Sequence, residues 1–165
     1  MARTRITTTD LMTDTEIRAA LSERDVLLLT LLGEARGEEL EGRVAVGCVI
    51  RNRMADDRWP DSIRDVCLQR FQFSCWNGGD LNYKALMEHA RLLTNDHAVR
   101  SNFVPTSIDK ETRWLADGLL SGIVRDRVGG ANHYLTRAKW ETDPPKWAKD
   151  QRPSAFVGRH CFFKL

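Results

Sequence analysis

Glu34 is the side chain best placed to carry acid–base chemistry. It is flanked by Leu31, Leu32 and Ala35 at the C-terminal end of an apolar, helix-patterned segment, three residues before Gly37. An apolar setting disfavours a carboxylate, and the negative end of a helix dipole does the same, so both hold the proton toward neutral pH. A carboxylic acid kept protonated in this way can donate to the leaving oxygen of a glycosidic bond. The plain alternative is a helix-end glutamate half in solvent, because perturbed groups mark sites only statistically.

Other candidates surround it in the sequence. Glu38 and Glu39 are the nearest further carboxylates, and Glu38 stands four residues from Glu34 across Gly37, which is placed to end the helix. Glu38 is therefore either a supporting group or a helix-start carboxylate favoured by the dipole. In Phe71-Gln72-Phe73-Ser74 the aromatic rings suit packing, while the Gln72 amide and Ser74 hydroxyl suit a polar ligand; Phe73 is kept with them as a candidate substrate contact. Asn132, His133 and Tyr134 form a late polar cluster in which the tyrosine is suited to orient an acid or to bond a glycan, and Asn132 and His160 read as satisfied structural groups. A zinc site from His133, His160 and a glutamate has none of the spacing of a metalloprotease helix, so no metal and no cofactor are expected.

The elements that must position these residues are mostly helical. Residues 1–12 read as an arm, and 13–165 as a single domain. Thr13 with Glu16 forms a capping box opening a short helix to about Leu21, and Ser22 with Asp25 repeats it for a core helix over Glu23–Arg36. Glu38, Glu39 and Glu41 suit the first turn of a second, buried helix whose far end, Arg51-Asn52-Arg53, is cationic. Trp59-Pro60 marks a loop before a short helix capped by Ser62. The alternation through Phe71–Ser74 and the turn residues Asn77-Gly78-Gly79 predict a short hairpin or loop. Helices are expected at about 82–95 and 107–120, and brief strands at 131–135 and 160–164.

Composition sets outer bounds. A chain of 165 residues can bury roughly 70% of the surface its unfolded form exposes, so no metal or disulfide staple is required. Its 25 basic and 23 acidic residues are interspersed, which gives no case for a nucleic-acid stripe but suits an anionic polymer such as cell wall. The longest apolar run, Val26–Leu32, is far too short for a membrane span, and Met1–Asp10 has no apolar core of a secretory signal, so synthesis in the cytoplasm and no membrane insertion are expected. Cys48, Cys67, Cys75 and Cys161 match no metal-binding spacing and read as free structural thiols, with a disulfide left open.

The segments Gly33-Glu34-Ala35-Arg36-Gly37-Glu38, Glu41-Gly42-Arg43-Val44-Ala45-Val46 and Val49-Ile50-Arg51-Asn52-Arg53 together resemble the signature of the SleB/CwlJ cell wall hydrolase family. The likeness continues through Trp59-Pro60-Asp61-Ser62-Ile63, Val66 and Gln72-Phe73-Ser74-Cys75, then Ala131-Asn132-His133-Tyr134 and Gly158-Arg159-His160-Cys161-Phe162-Phe163, covering roughly 27–165. It implies an α+β, mainly α, lysozyme-like fold with a small β-hairpin element, and Glu34 as catalytic acid/base. It further implies a peptidoglycan glycan-strand substrate cut between N-acetylmuramic acid and N-acetylglucosamine, commonly by lytic transglycosylation. The chain departs from well-studied members in showing no export signal and no upstream wall-binding repeat. That suggests a phage-type endolysin released through a holin-type system. The alternatives are a hydrolytic muramidase, a stem-peptide amidase or endopeptidase with Cys75 as nucleophile beside His133, and an inactive wall-binding or virion protein.

Overall fold

The computed structural model of the protein describes residues 12–35, 37–94 and 110–165. The expected arm lies outside these residues apart from Met12, as do Arg36, position 95 and positions 107–109 of the expected helices.

Two capping boxes open the fold. Helix α1 (Asp14–Ala20) starts where the Thr13 hydroxyl accepts the Glu16 N–H and the Glu16 carboxylate returns to the Thr13 N–H. Helix α2 (Glu23–Glu34) starts identically from Ser22 and Asp25. Each reciprocal pair satisfies two backbone donors that a helix start leaves orphaned. Val26 through Leu31 of α2 are all buried, so this helix is apolar nearly all round and forms the axis of the molecule. Packed on it are α4 (Ile63–Leu68), α5 (Tyr83–Thr94) and α6 (Lys110–Leu120).

The link from α2 to α3 (Leu40–Met54) turns through Gly37 at φ +82°, a left-handed conformation that costs a glycine nothing. Helix α3 starts later than its carboxylates predict. Glu39 is its N-cap and Glu41 is in the first turn, whereas Glu38 stays in the turn, its N–H donating to the Ala35 carbonyl. The Glu38 carboxylate is drawn to a cation from the far end of the chain and not to the helix dipole.

Between Gln69 and Gly79 the structure has no strand, so the hairpin half of the sequence expectation is corrected to turns and one 3₁₀ turn, Ser74–Trp76. Strand alternation would put Phe71 and Phe73 on one face. Phe71 is instead 73% exposed at φ +66°, and Phe73 is 1% exposed. Trp76 turns inward, its indole N–H donating to the Thr30 hydroxyl of α2 at 2.9 Å.

The small β element lies in the C-terminal segment: strands β1 (His133–Thr136), β2 (Ala155–Val157) and β3 (His160–Phe163) form an antiparallel sheet of order β1-β3-β2. His133 pairs with Phe163 and Thr136 with His160. Neighbouring residues of β3 serve opposite faces: Phe162 packs with Ala45, Cys48 and Val49 of α3, and Phe163 with Trp140, Trp147 and Ala148. Each ring removed from water contributes on the order of 2 kcal/mol and ties the sheet to its surroundings. A short helix not anticipated from the sequence, α7 (Arg137–Thr142), follows β1, capped by the Thr136 hydroxyl. Among the described residues no helix is long and apolar enough to cross a membrane.

Candidate active site

Glu34 is the last residue of α2, half-buried, and each of its carboxylate oxygens has a donor. The Cys75 backbone N–H reaches Oε1 at 3.0 Å, and the Tyr134 hydroxyl reaches Oε2 at 3.3 Å. Neither donor lies near Glu34 in sequence. The first arrives because the 3₁₀ turn sits directly against the helix at Gly33: a Cβ there would lie 2.5 Å from the Cys75 Cβ and 2.8 Å from its sulfur. The turn is held by Asp80, which accepts the Ser74 hydroxyl at 2.7 Å and the Asn82 N–H at 2.8 Å.

Tyr134 arrives on β1, its ring stacked on Phe162 at 5.8 Å and edge-on to His160 at 5.6 Å. Burial, and then the negative charge of Glu34, push its phenol well above the usual value, so it remains an O–H donor. Tyr134→Phe removes that single donor with no other change of shape. We expect roughly a tenfold fall in turnover at an unchanged melting temperature, the worth of one hydrogen bond to a charged group. Steady-state rates on cell-wall substrate check this; full activity would remove Tyr134 from the site.

Arg53, read from the sequence only as a helix-end cation, proves to be buried beside this pair. Its Nε donates to the Asn132 carbonyl at 2.7 Å, and its guanidinium lies 4.2 Å over the Trp59 ring and 5.3 Å from that of Phe73. Burial lowers its pKa to about 10, against the opposing pull of Tyr134, Cys67 and Glu34. The available sequence signal was its spacing of three and four residues from Ile50 and Val49, which sets it on the buried face of α3.

Glu38 belongs to a neighbouring cluster. Its side chain is only 6% exposed, and Oε1 accepts Arg159 Nε at 2.9 Å and Nη2 at 2.6 Å, with His160 Nδ1 at 3.8 Å. Gly158, at φ +54°, leaves room for it, since a Cβ there would lie 2.7 Å from Oε2. The carboxylate is thus committed to a cation.

The remaining candidates divide. Phe73 packs under the site, Ser74 spends its hydroxyl on Asp80, and Gln72 is half-buried in the same loop. His133 stands beside Tyr134 in sequence, so the strand sends it to the other face. There its ring lies 5.6 Å from Trp59 and 5.0 Å from Trp147, and Nδ1 bonds the Asn132 side-chain oxygen at 2.9 Å. Among the described residues no three His, Cys, Asp or Glu side chains converge as a metal site would require. All four cysteines are free and buried.

His133 and His160 both titrate below the usual 6.5, first because they are buried. Arg53 and Arg58 add to the effect at His133, and Arg159 adds to it at His160, while Asp56 and Glu38 respectively oppose it. An imidazole harder to protonate when folded leaves the unfolded chain holding more protons, so its contribution is complete above 6.5 and lost as pH falls below it. Asp14, bonded by Tyr83, and Asp117, bonded by Arg24, sit below their usual 3.8 and lose theirs only at lower pH. The melting temperature is therefore expected to drop already between about pH 7 and 5, and the doubly substituted His133→Gln, His160→Gln protein to be flatter there. Equal slopes in calorimetry would contradict this.

A sequence model described as cell wall hydrolase matches residues 37–163, beginning just after Glu34. The spore cortex-lytic enzyme of Halalkalibacterium halodurans is 27% identical over 150 residues, which are 90% of this chain and 37% of that protein. That of Bacillus subtilis is 37% identical over 62 residues, 36% of this chain and 20% of that protein. The chain thus spans well under half the length of these relatives. Among solved structures, the catalytic domain of the Bacillus cereus SleB protein superposes with a TM-score of 0.56 at 23% identity, covering 87% of this chain and 91% of that one. The catalytic domain of the germination-specific lytic transglycosylase SleB from Bacillus anthracis does so at 0.55 and 22% identity, covering 87% and 97%. At such identities these two likenesses concern the fold.

Proposed function

We propose, from the premise that the chain belongs to the cell wall hydrolase family, that it cuts the glycan strands of peptidoglycan between N-acetylmuramic acid and N-acetylglucosamine by lytic transglycosylation, with Glu34 as acid and then base. The observation that carries this reading is a single carboxylate held by two donors from distant parts of the fold, the Cys75 N–H and the Tyr134 hydroxyl. Hydrolysis by the ordinary two-carboxylate routes needs a second acid across the scissile bond. The nearest in sequence, Glu38, is buried and engaged by Arg159. Transglycosylation needs only one.

In the first step the Glu34 proton passes to the glycosidic oxygen as the bond to the muramoyl anomeric carbon breaks, and the N-acetylglucosamine part leaves with a new hydroxyl. The resulting carboxylate keeps both donors, the Cys75 N–H and the Tyr134 hydroxyl. It then takes the proton of a muramoyl hydroxyl whose oxygen attacks the anomeric carbon, closing an anhydro ring and restoring the acid. No water is consumed.

Cleavage of the peptide stem by Cys75 with His133 finds less support. Burial, followed by the adjacent Glu34 charge, pushes the Cys75 thiol far above its usual value, away from the nucleophilic thiolate. His133 is held on the Trp59 and Trp147 side of β1. Mass spectrometry of fragments released from purified peptidoglycan tests the proposal. Anhydromuramoyl ends are expected; reducing muramic ends would replace transglycosylation by hydrolysis, and intact strands with cut stems would overturn it.

A further inference from the structure

We propose that Phe71 is a stacking platform for a saccharide ring of the glycan strand, a specificity-determining contact that rests on the glycan-cleaving reading above. Among the described residues Phe71 is the non-glycine residue with positive φ, at +66°. A Cβ in that region meets its own backbone, so the conformation is strained and persists only where the surroundings impose it. The conformation lets the Gln72 N–H close a turn on the Gln69 carbonyl, but the ring itself gains no burial in return, since it is 73% exposed. An apolar ring held in water by a strained backbone costs stability twice, and such strain gathers at ligand-binding sites.

The local geometry says what kind of ligand fits. The Arg70 guanidinium lies 4.5 Å over the Phe71 ring, a cation–π contact that occupies one face. The other face is left for an apolar partner, and the C–H face of a pyranose is a flat one of matching size. The backbone that carries the ring is pinned on either side. Gln72 N–H donates to the Gln69 carbonyl at 3.1 Å, Phe73 is anchored in the core, and Asp80 fixes Ser74. Phe71 stands four positions before the Cys75 N–H that bonds Glu34, so the two backbones lie within roughly 14 Å of each other. A strand seated at Glu34 reaches that far within a few sugars.

The experiment uses the full chain, wild type, Phe71→Gly and Phe71→Trp, on glycan strands with and without their stem peptides, with kcat, KM, calorimetric binding and melting temperature measured together. Phe71→Gly is expected to raise KM roughly three- to tenfold, as loss of one stacked pair would. It should leave kcat unchanged and melt no lower than wild type, because glycine takes φ +66° without strain. Phe71→Trp should keep a wild-type KM. An unchanged KM in Phe71→Gly overturns the platform, as does a weakening accompanied by a lower melting temperature, which would mark a structural residue. If a KM effect appears only on strands that keep their stems, the contact is to peptide and the proposal also fails. If wild type releases no fragments, the proposed activity is wrong. The platform then stands or falls separately, upheld by weaker strand binding of Phe71→Gly and overturned by equal binding.

Discussion

Glu34→Gln is expected to reduce fragment release from peptidoglycan by roughly a thousandfold, the range lost when a general acid is removed. Glutamine keeps the shape and an oxygen that accepts the Cys75 N–H, and Glu34 is only half-buried, so the melting temperature should scarcely move. The substitution removes the carboxylic acid that gives up its proton in the first proposed step and the carboxylate that takes a different proton in the second. Activity within tenfold of wild type would show that the acid lies elsewhere, whatever bond is cut. Loss of activity together with a lower melting temperature would leave the chemistry unassigned, so both are measured on one preparation.

Gly33→Ala is expected to lose activity out of proportion to stability. In a helix, alanine is favoured over glycine by about 1 kcal/mol. Against this stands a Cβ placed 2.5 Å from the Cys75 Cβ and 3.0 Å from a Leu86 methyl, and overpacking of this kind costs about 1–3 kcal/mol. The two effects partly cancel, so the net loss should be small. Relief of the clash must come from the 3₁₀ turn, which carries the Cys75 N–H away from Glu34. A displacement near 1 Å can cost on the order of a hundredfold in rate. Wild-type turnover in this variant would mean that the Cys75 contact contributes nothing; calorimetry and rate assays on the same protein decide it.

These two substitutions also separate what was legible in the chain from what was not. Gly33-Glu34 could be placed at the end of a core helix from neighbours alone: the caps at Thr13 and Ser22, the apolar run into Leu32 and the turn at Gly37 all act within a few residues. The same holds for the start of α4 at Ser62 and for the two strands expected near 133 and 160. Of the hairpin or loop expected near Phe71 the structure takes the loop, because alternation in sequence does not prove alternation in burial. Phe73 had a core to enter against Arg53, and Phe71 did not. Glu38 was likewise misplaced in a helix start because the dipole was the only partner visible nearby, while Arg159 stands 121 residues away.

Legible in the chain alone were the long helices, the caps at Thr13, Ser22 and Ser62, the family likeness and the presence of a carboxylic acid at the margin of the central helix, but not the short helix α7. What surrounds that acid came from folding alone: a backbone N–H 41 residues distant, a hydroxyl 100 residues distant, and the buried Arg53. The reason is physical. A capping bond is settled by residues within one turn of each other, whereas the bonds to Glu34 exist because Gly33 lacks a Cβ at one surface and Phe162 fills another, and close packing joins those surfaces only once the whole chain has folded.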